Sequence, residues 1–97
     1  MNICFITARI IDLPQRLLNN NTYSTLFKIS FPHKRKLLCY ATAVVYGKIS
    51  QDAFDLYFKG DYVIIEGKLL ISKNINNNKE LAINIINIHP AHIIIQR

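Results

Sequence analysis

Tryptophan is absent from these 97 residues, leaving five tyrosines and five phenylalanines as the only large aromatic surfaces. No apolar run approaches the ~18 residues of a membrane-crossing helix, so no transmembrane segment and no membrane partner are expected. Cysteine is limited to Cys4 and Cys39. Both fall inside apolar strand patterns and read as reduced core thiols rather than a bridge. His89-Pro90-Ala91-His92 and those two remote cysteines lack the spacing of a zinc site, so no metal is expected. Gly47-Lys48-Ile49-Ser50 has no glycine five residues upstream and is not a phosphate-cradling loop. The acids form no convincing pair and no nucleophile–base arrangement can be read. The expectation is a chain that is not an enzyme and carries no cofactor. Met1-Asn2-Ile3-Cys4 offers no basic leader, so neither a signal nor a transit peptide is expected. Asn20-Asn21-Thr22 is a glycosylation sequon only formally.

Acidic residues are also few, six against twelve lysines and arginines, for a net charge of +6. That balance favours a polyanionic partner, nucleic acid ahead of an anionic surface, although small basic domains without such a partner are common. Hydrophobic residues make up 51% of the chain, enough to bury one core and too many for a disordered chain. Isoleucine is abundant, and β-branched side chains suit a pleated surface. One domain spanning 1–97 is expected.

The stretch 40–69 organises the rest, reading as strand, short helix, strand. Side chains alternate faces along a strand. Tyr40, Thr42, Val44 and Tyr46 therefore share one face, and Ala41, Ala43 and Val45 the other. Gly47 breaks the run. Ser50 reads as a helix N-cap, with Ile49, Ala53, Phe54, Leu56 and Tyr57 at helical spacing. Gly60 is suited to a left-handed cap, which places the helix end near Lys59. The next strand puts Val63, Ile65, Gly67 and Leu69 on one face against Tyr62, Ile64, Glu66 and Lys68.

Before this stretch, a strand is expected from about Ile3 to Ile11, closed by Asp12-Leu13-Pro14. Gln15 to Asn21 reads as a polar segment with a turn at Asn19-Asn20-Asn21. A second strand spans roughly Tyr23 to Phe31, with Tyr23, Thr25, Phe27, Ile29 and Phe31 on one face. Pro32-His33 interrupts it, Lys34-Arg35-Lys36 follows, and the third strand opens at Leu37. The fourth strand runs on toward Lys73, Asn76-Asn77-Asn78 makes a turn, and a fifth strand covers Leu81 to Ile88. His89-Pro90 ends it, and His92 to Gln96 is read as a short edge segment. This is an all-β order, five strands with one helix between the third and fourth. It is the order of the OB-fold, a five-stranded Greek-key barrel.

Val44-Val45-Tyr46-Gly47-Lys48, then Tyr57-Phe58-Lys59-Gly60-Asp61, then Val63-Ile64-Ile65-Glu66-Gly67-Lys68-Leu69 resembles the bacterial and organellar single-stranded DNA-binding (SSB) proteins. Their signature reads V-x-F-G-K, a short helix, Y-L-x-K-G-D, then V-x-V-E-G-x-L, and the spacings agree as well as the residues. The likeness is greatest to short plastid-encoded relatives. It implies sequence-independent binding of single-stranded DNA in replication, repair and recombination, by base stacking and phosphate contacts. Tyr40 and Tyr46 stand where the resembled family uses a tryptophan and a phenylalanine for stacking. Lys34, Arg35 and Lys36 lie in the loop that embraces DNA in that family, and Arg9, Lys28, Lys48, Lys68 and Lys73 could extend the phosphate track. Against this, a strand tyrosine is often a half-buried packing residue, and a short charge run is often merely solvated.

The departures point to weaker affinity. Asn74 occupies the position of a second stacking tryptophan, and the Gly/Pro/Gln-rich tail that recruits repair enzymes in the family is not seen before Arg97. Glu66-Gly67 is read as serving barrel geometry. By resemblance the chain pairs with itself through the first strand, as a homotetramer or homodimer. It would sit in the plastid (chloroplast) stroma if organelle-encoded, and otherwise in a bacterial cytoplasm. Three alternatives remain open: an OB-fold dimer like primosomal replication protein B, a protein-interaction scaffold with little nucleic-acid binding, and an RNA binder.

Overall fold

The computed structural model describes residues 3–32, 37–73 and 79–91, the side chains of residues 72, 73 and 79 excepted. The elements in order are β1 (Ile3–Ile10), β2 (Gln15–Asn19), β3 (Thr22–Pro32), β4 (Leu38–Tyr46), α1 (Lys48–Leu56), β5 (Tyr62–Lys73) and β6 (Lys79–Pro90). The sheet runs β1-β5-β6-β4-β3-β2, and β1 also pairs with β3, which closes it into a barrel. All pairings are antiparallel except β4 with β6.

The alternation read from the sequence sets the inside of this barrel. Thr25, Phe27 and Ile29 of β3, Ala43 and Val45 of β4, Val63 and Ile65 of β5 and Ile83 of β6 are buried, together with Ile10. Burying such side chains removes about 25 cal/mol per Å² of apolar surface from water and is the main favourable term in folding. Cys4 and Cys39 are free thiols and only partly buried, with Cys4 packed at the margin of the core.

The polar segment after Pro14 is a strand and not a loop, which raises the count from five to six and places the helix between β4 and β5. Gln15–Asn19 pairs with β3 in register from Gln15↔Leu26 to Asn19↔Thr22. The turn narrows to Asn20-Asn21, whose φ angles of 51° and 63° meet the double positive-φ demand of a two-residue hairpin. In the five-strand scheme, β1 and β2 are the two halves of a first strand interrupted at Asp12-Leu13-Pro14. Polar residues conceal β2 because its partners are specific. The Arg16 guanidinium donates to Ser50 Oγ at 2.9 Å and Thr25 Oγ1 at 3.2 Å, and lies 4.8 Å from the Tyr23 ring centroid.

Ser50 is not the helix cap. It sits inside the first turn, fully buried, donating its hydroxyl to the Gly47 carbonyl at 2.6 Å while its own carbonyl accepts from Thr25 Oγ1 at 2.6 Å. Gly47 is the cap residue, at φ 78° and ψ −150°, and α1 ends at Leu56. Ala53 and Tyr57 face the core, whereas Ile49 and Leu56 are exposed. Gly60, at φ 96°, belongs to the turn that follows and not to a helix cap. There Asp61 Oδ2 accepts from the Phe58 amide at 2.9 Å, and the Gly60 amide donates to the Ile10 carbonyl at 2.7 Å. The Lys-Gly-Asp turn therefore anchors the end of β1. Burial, and then the nearby Asp61 charge, raises the Tyr57 hydroxyl above the ordinary tyrosine range.

The other boundaries move by a residue or two. β3 starts at Thr22 and ends at Pro32, β4 opens at Leu38, and β6 extends to Lys79 and Pro90. The segment 92–96 lies outside the described residues. Gly67 has the geometric role expected of it. The register slips between Glu66↔Asn87 and Gly67↔Ile85, a bulge at Ile86 that bends the β5–β6 ribbon. A Cβ on Gly67 would meet the Asn84 carbonyl oxygen at 2.5 Å and Ile83 Cγ2 at 2.7 Å. Gly67→Ala is expected to destabilise the chain by about 1–3 kcal/mol, read as a lowered midpoint in urea denaturation. An unchanged midpoint would show that the strands are not held this close.

Candidate nucleic-acid interface

The outward side chains of adjacent strands line up in rows fixed by the register. Across β3 and β4, Ser30 faces Tyr40, Lys28 faces Thr42, Leu26 faces Val44 and Ser24 faces Tyr46. The parallel partner β6 adds Ala82 beside Thr42 and Asn84 beside Val44. Beyond it, β5 adds Leu70 opposite Ala82 and Lys68 opposite Asn84.

Tyr40 is 62% exposed and Tyr46 56% exposed. Six residues apart on one strand, they stand roughly 20 Å from each other. Both have serine as their antiparallel neighbour, and both serines are buried. Lys28 is exposed between them on the adjacent strand. A cleft of about 340 Å³ opens beside Tyr40, lined by Lys28, Thr42, Ile11, Leu81 and Glu80. The face thus combines two bare aromatic rings, a cation and a recess with both apolar and hydrogen-bonding walls. Flat π faces with positive charge alongside are the ingredients for holding a single strand by its bases and phosphates.

Lys68 is exposed on the same outward surface two strands away, and Lys48 is exposed at the start of α1, just past Tyr46 and Gly47. Arg9 is exposed on β1, near the barrel seam. Lys34, Arg35, Lys36 and Asn74 lie outside the described residues, as does the side chain of Lys73, whose backbone ends β5. Among the described residues, no group of three or more His, Cys, Asp and Glu side chains comes together as a metal ligand set. None of their helices is long and apolar enough to cross a membrane.

No family model and no curated protein matches the sequence. Solved structures do match it in shape. The SSB domain of a protein from Synechococcus sp. superposes with a TM-score of 0.77 at 25% identity, over 92% of this chain and 94% of that one. The small single-stranded DNA-binding protein from Streptomyces coelicolor gives 0.81 at 13% identity, over 92% and 91%. The second single-stranded DNA-binding protein of Mycobacterium smegmatis gives 0.77 at 18%, over 99% and 98%. The fold is that of the SSB proteins.

Sequence reasoning singled out Tyr40 and Tyr46 by the register of Gly47-Lys48 in the resembled family, and Lys28 and Lys68 by parity; the structure leaves all four exposed. That reasoning missed Tyr62, Glu80 and Arg16. Tyr62 had the right parity but no visible neighbour, and Glu80 enters the cleft only through the β4–β6 pairing. Arg16, although basic, is committed to Ser50, Thr25 and Tyr23, and so holds the hairpin to the helix.

An exposed ring that serves a ligand contributes little to folding. Tyr40→Ala and Tyr46→Ala should each change stability by no more than about 0.5 kcal/mol. Tyr57→Ala, which empties a core position, should cost about 3 kcal/mol or more. Thermal melts of the three variants decide this, and large losses at Tyr40 or Tyr46 would return them to packing roles.

Proposed function

We propose that the chain binds single-stranded DNA without sequence preference, as a non-enzymatic protein of replication, repair and recombination. The observation that carries this reading is the pair of bare rings, Tyr40 and Tyr46, on one face of β4 with Lys28 beside them. The three structures of like shape support it, since each is described as an SSB domain or a single-stranded DNA-binding protein. Bases stack on Tyr40 and Tyr46. Lys28, Lys48 and Lys68 follow the phosphates, and Lys34, Arg35, Lys36 and Lys73 lengthen the track. With tyrosine in place of larger indole platforms, affinity per base is modest.

The test is fluorescence anisotropy with a labelled oligo-dT at two salt concentrations. Native protein should bind, and log K should fall with log salt by about 0.7 per phosphate neutralised. Stacking is worth roughly 1–3 kcal/mol per base, so the Tyr40→Ala/Tyr46→Ala variant should bind at least about tenfold more weakly while staying folded. No binding by native protein at low salt would end this reading.

The same reading includes self-association. Among the described residues, β1 is paired from Ile3 to Ala8 on one side only, by β5, and meets β3 only at Arg9 and Ile10. Such an edge presents unpaired backbone donors and acceptors, and Phe5 at 69% exposure and Ile3 stand outward along it. A second β1, antiparallel to the first, would pair this edge. Sedimentation velocity at micromolar concentration should then give a dimer or tetramer, and Phe5→Lys should shift it to monomer. A monomeric native chain would refute the pairing.

A further inference from the structure

The outward row through Tyr40 does not stop at β3. Ser30, opposite Tyr40, is also opposite Arg9 of β1, and Arg9 is opposite Tyr62 of β5. Tyr40, Ser30, Arg9 and Tyr62 therefore form one row across the closed seam of the barrel. At neighbouring-strand spacing, the two tyrosines lie roughly 14 Å apart along it. The Arg9 guanidinium carbon is 5.8 Å from the Tyr62 ring centroid, and Tyr62 is 43% exposed.

A recess adjoins this row. β1 and β3 pair at only two positions, Arg9↔Ser30 and Ile10↔Ile29, and beyond them the strands part. The gap is a cleft of about 390 Å³ with Ala8 and Phe31 among its lining residues and Pro32, Leu38, Arg9 and Tyr62 around them. Ala8 and Phe31 have the inward parity of their strands. Ala8 stays buried beneath the recess, and Phe31 is left partly exposed where the ladder is interrupted.

We propose that this cleft is a second nucleotide subsite, which takes the strand onward from Tyr40. A base enters against Tyr62 and the apolar wall of Pro32 and Leu38, while Arg9 receives the adjoining phosphate. The occupant is the same single strand, because the row is continuous with the Tyr40 face and the one charged group among the described residues lining the cleft is a cation. Arginine suits both tasks, since its planar fork stacks on an aromatic ring and binds phosphate through two donors. The subsite turns the path from along β4 to across the seam, so the site is longer than the Tyr40–Tyr46 face. The inference rests on the single-strand reading and extends it.

The experiment is a length series of oligo-dT, from about 4 to about 16 nucleotides, the range of site sizes for one OB-fold. It is run on the native chain and on Arg9→Gln/Tyr62→Ala, with thermal melts and sedimentation on both. The variant should match the native chain on the shortest strands and fall behind it by about fivefold to tenfold on the longest. Tyr62→Trp should keep the full length dependence. Should the double variant fold poorly, an iodouracil placed at the strand end and irradiated on the native chain should give an adduct mapping to Tyr62.

Native binding with identical length curves for both proteins, or with equal losses at every length, would overturn the subsite and leave the Tyr40–Tyr46 reading standing. A changed sedimentation mass in the variant, with unchanged length dependence, would assign the cleft to a second copy of the chain instead. Absence of any binding by the native chain would fell both.

Discussion

Closure of the barrel hangs on the last two residues of β1. Arg9 and Ile10 are the only positions at which β1 meets β3, while the rest of the strand lies against β5. Ile10 is fully buried at that junction, and its backbone is held on the far side as well. Its carbonyl accepts from Gly60 at 2.7 Å and its amide donates to Asp61 at 2.9 Å. An open sheet would leave two edges and a half-wet core. Two pairs of residues, the Ile11 amide donating to the Lys28 carbonyl beside them at 2.9 Å, and one Lys-Gly-Asp turn are what turn this sheet into a barrel with an inside.

The brevity of that closure also shapes the surface. A seam fully paired along its length would cover Phe31, which is only partly buried, and leave a smooth wall. The short one opens a recess, leaves Ile3 to Ala8 of β1 with one edge unpaired among the described residues, and sets Arg9 where rows from β4 and β5 meet. Stability and surface relief thus come from one feature. The helix is fixed in a different way, by a small polar knot. Arg16, Thr25, Ser50 and the Gly47 carbonyl satisfy one another, so α1 can sit on β3 and β4 with Ala53 as its deeply buried apolar anchor and Tyr57 buried just past its end. Buried polar groups are tolerated when each finds a partner, and here they do the joining that apolar area does elsewhere.

Much of this was legible beforehand. The alternation in 40–46 and 62–69 assigned inside and outside correctly, because a period of two leaves no freedom once one face must be dry. Gly67 next to Glu66 was recognisable as a place of close approach. The failures have physical causes too. Gln15–Asn19 carries no apolar alternation, since an edge strand held by an arginine–serine–threonine network needs none. Ser50 looked like a cap because serine at a helix start usually is one, yet Gly47 already supplied the positive φ that begins the helix. Gly60 was matched to the nearest helix end, when the left-handed residue was needed by a turn that reaches back to β1.

What the sequence determined by itself is the set of local, periodic features: which faces are dry, where the chain must bend, the sign of the charge, and two tyrosines on one face of one strand. These follow from geometry repeated every two residues or from side chains a few positions apart. Which strands become neighbours was decided only by the tertiary structure. Arg9 and Tyr62 are more than fifty positions apart, and nothing local to either marks them as partners. Their pairing comes from barrel closure, in which every strand's register is fixed by all the others at once, and with it come the row through Ser30 to Tyr40 and the cleft at the seam.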